Sequence, residues 1–205
     1  MAKLYFRYGA MGSSKTANAL MVRYNYEEKG QYAVMLKPRI DDRDGATRVW
    51  SRIGLSAEAS FVEDFLAEAE RNWFPFLRDG VLTRQEGDWN RYAAIIVDEA
   101  QFLTARQVEA LSDIVDYFDI PVICYGLRTD FTSSLFEGAR RLMELADRIE
   151  EIPTVCWCGR RAHFNARFAD GKIQRTGRQI VLGANESYVS LCRRHFKEGK
   201  LGEEA

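Results

Sequence analysis

The chain has 205 residues, 29 Lys and Arg against 30 Asp and Glu, a formal net charge of -1 and 46% hydrophobic residues. That apolar share supports a packed core and excludes disorder as the main state, and no apolar run approaches the roughly 20 residues a bilayer-spanning helix needs. The length fits one medium domain, or one domain with a small appendage.

Lys3 to Tyr8 is short, aromatic and apolar and is ended by Gly9, which predicts a buried strand. Arg7 stands where a secretory signal would carry its apolar stretch, so a non-exported, cytoplasmic protein is expected. Lys15 to Glu28 holds neither Pro nor Gly, spaces Ala17, Leu20, Met21 and Tyr24 as a helix would, and meets a stop at Gly30. Tyr32 to Leu36 predicts a second strand. Pro38, Gly45, Gly54 and several charges make 38–56 a long loop, and Phe61 to Trp73 predicts a helix.

Ala93 to Val97 predicts a buried strand that runs directly into Asp98 and Glu99. Thr104 is a good N-cap for a helix through Tyr117. Pro121 to Tyr125 predicts another strand, Leu135 to Ala146 a helix, and Arg148 to Cys156 holds a further strand. This alternation implies a mostly parallel sheet with helices on both faces over residues 1–150. Beyond Cys156, glycines at 159, 171, 177 and 183 separate short β-prone stretches, which predicts a small β-rich module over 151–200, with 201–205 as a tail. From Cys156 to Lys200 the chain carries ten Lys and Arg against three acids, about +7. Such a surface suits phosphates, nucleic acid or an acidic partner, and a basic face turned to water explains the same charges.

Gly9-Ala10-Met11-Gly12-Ser13-Ser14-Lys15-Thr16 joins the first strand to the first helix. The pattern G-x-x-x-x-G-K-[ST] in that context is a phosphate-binding loop. Its backbone N–H groups turn toward phosphate oxygens, and the helix N-terminus adds the positive end of a dipole. Lys15 would neutralise the β- and γ-phosphates and Thr16 would place its hydroxyl on Mg²⁺. Ser14 stands where the pattern has Gly, at a position expected to need φ > 0, at a cost of ~1–2 kcal/mol. The strand ending in Asp98-Glu99 would deliver a carboxylate to the same metal, with Asp98 holding Mg²⁺ through water and Glu99 free as general base. Taken alone, the same acids would suit a helix N-terminus.

Of the four cysteines, Cys124 lies in an apolar run and predicts a core thiol. Cys156-x-Cys158 and Cys192-x-x-His195 offer three thiolates and one imidazole, a closed tetrahedral set suited to structural Zn²⁺. His163 shows no partner in the sequence.

Together these segments resemble the cytosolic, zinc-containing type of thymidine kinase, closest to its bacterial form. The resemblance runs from Leu4 to about Lys197. It rests on Leu4-Tyr5-Phe6 leading into the loop, on Ile40-Asp41-Asp42-Arg43, and on Ser51-Arg52-Ile53-Gly54-Leu55. It continues through Val97 to Leu103, Cys124 to Phe131, Cys156 to Arg160, and Asn185 to His195.

It implies a RecA-like P-loop fold and transfer of the ATP γ-phosphate to the 5′-hydroxyl of thymidine, with Glu99 as general base. Asp41, Arg43 and Gln101 fall with the nucleotide and metal groups. Phe102, Leu127, Phe131, Phe136 and Tyr188 fall where thymine and deoxyribose are enclosed. A loop of roughly Gly177 to Tyr188, with Val181 in contact, would close over the nucleoside. The resemblance also implies a homotetramer inhibited by thymidine triphosphate, with neither nucleic acid nor membrane as partner. Two other readings stay open at this level. One is a zinc-bearing ATPase acting on nucleic acid, since Asp98-Glu99-Ala100-Gln101 is similar to a helicase acidic box; the other is a nucleotide-binding relative weakened by Ser14.

Overall fold

The computed structural model describes residues 1–41, 47–74, 88–179 and 188–202. Arg43 and Val181 lie outside the described residues, as does most of the predicted nucleoside loop.

Six strands form one parallel sheet in the order β5-β2-β6-β7-β1-β8. They are β1 (Leu4–Tyr8), β2 (Tyr32–Lys37), β5 (Ser60–Phe61), β6 (Tyr92–Val97), β7 (Val122–Gly126) and β8 (Arg148–Glu151). The inner strands are near-continuous aliphatic runs because both faces are covered. Leu4, Phe6, Val34, Leu36, Ile95, Val97, Val122 and Cys124 point to one side. There they pack against α2 (Val62–Asn72), α3 (Ala105–Phe118) and α4 (Glu137–Leu145). The alternate residues Ala33, Met35, Ala94, Ile96, Ile123 and Tyr125 face α1 (Lys15–Glu27) through Ala19 and Leu20. The two-sided α/β architecture is therefore as the alternation predicts.

Local chemistry sets the boundaries. Thr104 caps α3 as expected, and Gln107 completes a capping box by accepting from the Thr104 N–H. On α1, Ala17 and Leu20 are buried, but Met21 and Tyr24, which share their helical spacing, are exposed. The stretch 38–56 is not all loop. It contains an antiparallel hairpin of β3 (Arg48–Trp50) and β4 (Ser56–Glu58), which packs Val49 onto the α1 side of the sheet. Lys37, fully buried at the end of β2, donates to the Arg48 carbonyl at 2.9 Å and fastens the hairpin there.

After β8 come β9 (Thr154–Val155) paired with β10 (Arg161–Ala162), and β11 (Phe164–Ala169) flanked by β12 (Lys172–Ile173) and β13 (Tyr188–Leu191). The short helix α5 (Arg193–Glu198) follows. Cys156, Ala162, Ala166, Leu191, Cys192 and Phe196 form a separate small core beneath them.

Candidate active site

Parallel strands send their C-terminal ends to one edge of the sheet. β1 and β6, one strand apart across β7, release the 9–14 loop and the Asp98-Glu99 pair at that edge. The two segments meet: Thr16 Oγ1 donates to Asp98 Oδ2 at 2.8 Å across 82 positions of sequence. Lys15 is buried, and its Nζ donates to the carbonyls of Gly9 (3.2 Å) and Ala10 (3.0 Å) and to Ser13 Oγ (3.3 Å). Gly12 has φ 75°, and Ser14 sits in the left-handed region at φ 58°, ψ 30°, the backbone that its position in the pattern demands.

Asp98 is 4% exposed. Burial, and then the neighbouring Glu99 charge, push its carboxyl up to about 7, against the bonds from Thr16 and the Glu99 N–H and the attraction of Lys15. Glu99 also has positive φ, 51°, and opens a 3-10 turn over Ala100–Phe102. Gln101, buried, donates to Glu99 Oε2 and accepts from the Leu127 N–H at 2.9 Å. It thus orients the carboxylate against the exit of β7. Two glycines permit this approach. A Cβ at Gly126 would lie 2.7 Å from Gln101 Oε1, and one at Gly138 would lie 2.6 Å from the carbonyls of both Ala100 and Leu103. Asp41, also buried, follows β2, whose neighbour in the sheet is β6.

The residues expected around the nucleoside fall into two groups. Phe102 and Phe136 meet edge to face at 5.8 Å, with Phe102 and Leu127 packed against the main core. Phe131 is buried under the Arg167 guanidinium, 3.6 Å from its ring centroid. Arg167 also donates to the Thr176 and Arg178 carbonyls and pairs in register with Tyr188. Gln179 reaches Asp130 Oδ2 at 2.9 Å, so the start of the 177–188 segment is tied to the turn that carries Phe131.

Cys156, Cys158, Cys192 and His195 bring their ligand atoms within 4.8 Å of one another. Cys156 and Cys192 are buried, and Trp157 stacks flat on His195 at 4.2 Å and 6°. Cys192 stands at the N-cap position of α5; the His195 N–H holds its thiol below the ordinary range, while burial pushes the Cys156 thiol up. Three soft sulfurs and one imidazole in a mostly buried cluster fit a tetrahedral zinc ion.

Sequence reasoning missed three side chains that join this cluster's strands to the 9–14 loop. Asn165 Oδ1 accepts from the Met11 N–H at 2.8 Å, Ser190 Oγ donates to the Met11 carbonyl, and Thr154 Oγ1 donates to the Gly12 carbonyl at 3.3 Å. Nothing local in the sequence marks them, since each acts on a residue more than a hundred positions away. His163 does have a partner, Glu151 at 2.8 Å, and Arg161 pairs with the same carboxylate.

The family model described as thymidine kinase matches residues 2–196. The thymidine kinase of Haemophilus influenzae is 45% identical over 204 residues, covering 99% of this chain and 100% of its own. That of Pasteurella multocida is 46% identical over 199 residues (97% and 98%), and that of Salmonella typhimurium 43% over 199 (97% and 92%). A parallel sheet that brings Thr16 to Asp98 beside Glu99, matched along nearly its whole length, leaves one assignment: the chain belongs to the thymidine kinase family.

Proposed function

We propose that this chain transfers the γ-phosphate of ATP to the 5′-hydroxyl of thymidine, with Glu99 as general base. The observation that carries the reading is the Thr16–Asp98 bond, which unites the two motifs at the sheet edge beside Glu99. Lys15 and the amides of the 9–14 loop would hold the triphosphate, with Asp41 and Arg43 near it. Thr16 and Asp98, the latter through water, are the residues that would hold Mg²⁺, which would supply neutralisation of phosphate charge there. Gln101 keeps the Glu99 carboxylate in one orientation, ready to take the proton of the 5′-hydroxyl.

Phe102, Leu127, Phe131, Phe136 and Tyr188 would enclose the nucleoside, with Val181 in contact from the covering loop. Aromatic and apolar walls beside a few fixed polar groups suit a pyrimidine. Cys156, Cys158, Cys192 and His195 would hold structural zinc. Homotetrameric assembly, inhibition by thymidine triphosphate and a cytoplasmic location belong to the same reading. Met21 and Tyr24, exposed on α1, are apolar residues that assembly would cover.

A thymidine phosphorylation assay with ATP and Mg²⁺ tests it. Glu99→Gln should lower turnover ~10²–10⁴-fold while MgATP still binds. Turnover near wild type would remove Glu99 from its role.

A further inference from the structure

We infer that the strands of the Cys3His cluster hold the triphosphate loop in shape through Asn165, Ser190 and Thr154, so that the metal site and the nucleotide site are thermodynamically linked. The inference rests on the kinase reading and extends it to a positioning role for Asn165.

The geometry is specific. Asn165 and Ser190 are directly opposite each other in the β11–β13 ladder, so their side chains share one face of that sheet. That face meets a single residue of the loop. Asn165 takes the N–H of Met11 and Ser190 takes its carbonyl, so both backbone groups of Met11 are fixed from outside the loop. The Asn165 carboxamide is itself held, because its Nδ2 donates to the Thr129 carbonyl at 3.1 Å, and the residue is 3% exposed. A buried amide stripped of its partner is costly to leave unpaired, so the loop has strong reason to keep this shape.

The connection to the metal follows from spacing. Ser190 lies two residues before Cys192, and Thr154, which donates to the Gly12 carbonyl, lies two residues before Cys156. Each cysteine-bearing limb therefore presents a hydroxyl to the loop immediately upstream of its sulfur. Drawing Cys156 and Cys192 onto one ion sets the separation of the two limbs, and that separation sets where Met11 and Gly12 are gripped. Linkage is reciprocal: if metal favours the loop shape that binds MgATP, MgATP must favour metal retention by the same factor.

The test uses the zinc-loaded full chain as wild type, Asn165→Ala and Ser190→Ala, with two readouts. One is the Kd for MgATP without thymidine. The other is the rate of zinc loss to a zinc-selective chelator, with and without MgATP. MgATP should slow zinc loss several-fold in the wild type. Asn165→Ala should weaken MgATP binding about tenfold and abolish most of that protection. A purely structural role would speed zinc loss equally with and without nucleotide, and that result would overturn the inference. So would a Kd within about twofold of wild type in an Asn165→Ala protein that keeps its zinc. Should Asn165→Ala fail to fold, Ser190→Ala, which deletes one hydroxyl, decides by the same readouts. Absence of MgATP binding in the wild type would instead overturn the kinase reading.

Discussion

Ser14 carries a side chain in left-handed backbone, φ 58°, where glycine is at ease. Ser14→Gly relieves that strain but frees the unfolded chain, so the net gain is about 0.5–1 kcal/mol. Thermal melts should show a rise of ~1–4 °C, and MgATP titration a tighter loop; no change in either would mean the loop carries no strain at Ser14. Asp98 gives a pH signature. Its folded-state carboxyl titrates at about 7, well above the ordinary range of an unfolded chain. The folded form therefore holds the proton more tightly, and the associated stability is present in full below pH ~4 and is lost as pH rises through about 7. In nucleotide-free protein, melting temperature should fall over that window more steeply than in Asp98→Asn. Parallel pH profiles would remove Asp98 as the source. The meeting of Thr16 with Asp98, and of the three cysteines with His195, was legible in the sequence because phosphate and zinc binding would each call for those residue types in those short motifs. Asn165 and Ser190 were not, because an amide or hydroxyl holding a distant main-chain group has no spacing of its own.

The elements were legible where an unbroken apolar run, or a helical period with its cap, marks them. The buried strands 93–97 and 121–125 and the α3 helix with its Thr104 cap stand within a residue or two of their sequence bounds. The β3–β4 hairpin was not, because each strand is three residues long and Val49 is the one buried position of the two, with only the half-buried Ala57 beside it. Met21 and Tyr24 show a second limit: helical spacing names a stripe, and the width of that stripe depends on what lies across from it. The 3-10 turn behind Glu99 depends on neighbours that come close. A Cβ at Gly138 would meet two main-chain carbonyls, which have no rotamer to escape into. Gly138→Ala should destabilise by ~1–3 kcal/mol and lower turnover by displacing Glu99. Retained stability and turnover would show that the turn yields without consequence.

At the scale of the molecule, the strands after β8 bury few residues of their own. Among the described residues, the apolar cluster there has six buried side chains, two of them cysteines of the Cys3His set, a small core for so much chain. If the Cys3His set holds zinc as proposed, removing the ion should therefore loosen the strands β9 to β13 and α5. At ~2–4 °C per kcal/mol for a chain of this size, the drop in Tm should be about 5 °C or more, with loss of thymidine phosphorylation. Unchanged melting and activity after verified metal removal would make the cluster idle. The family was legible because many ordered segments agree along the chain; the inner geometry that ties its two ends together was not.

The order β7-β1-β8 has a consequence for how the protein is made. β1 leaves the ribosome before both of its neighbours, Val122–Gly126 and Arg148–Glu151, which are synthesised more than a hundred residues later. Until they arrive, Leu4 and Phe6 have no place in the sheet. Folding of so non-local a strand is slow, and until then its apolar side chains stay open to aggregation.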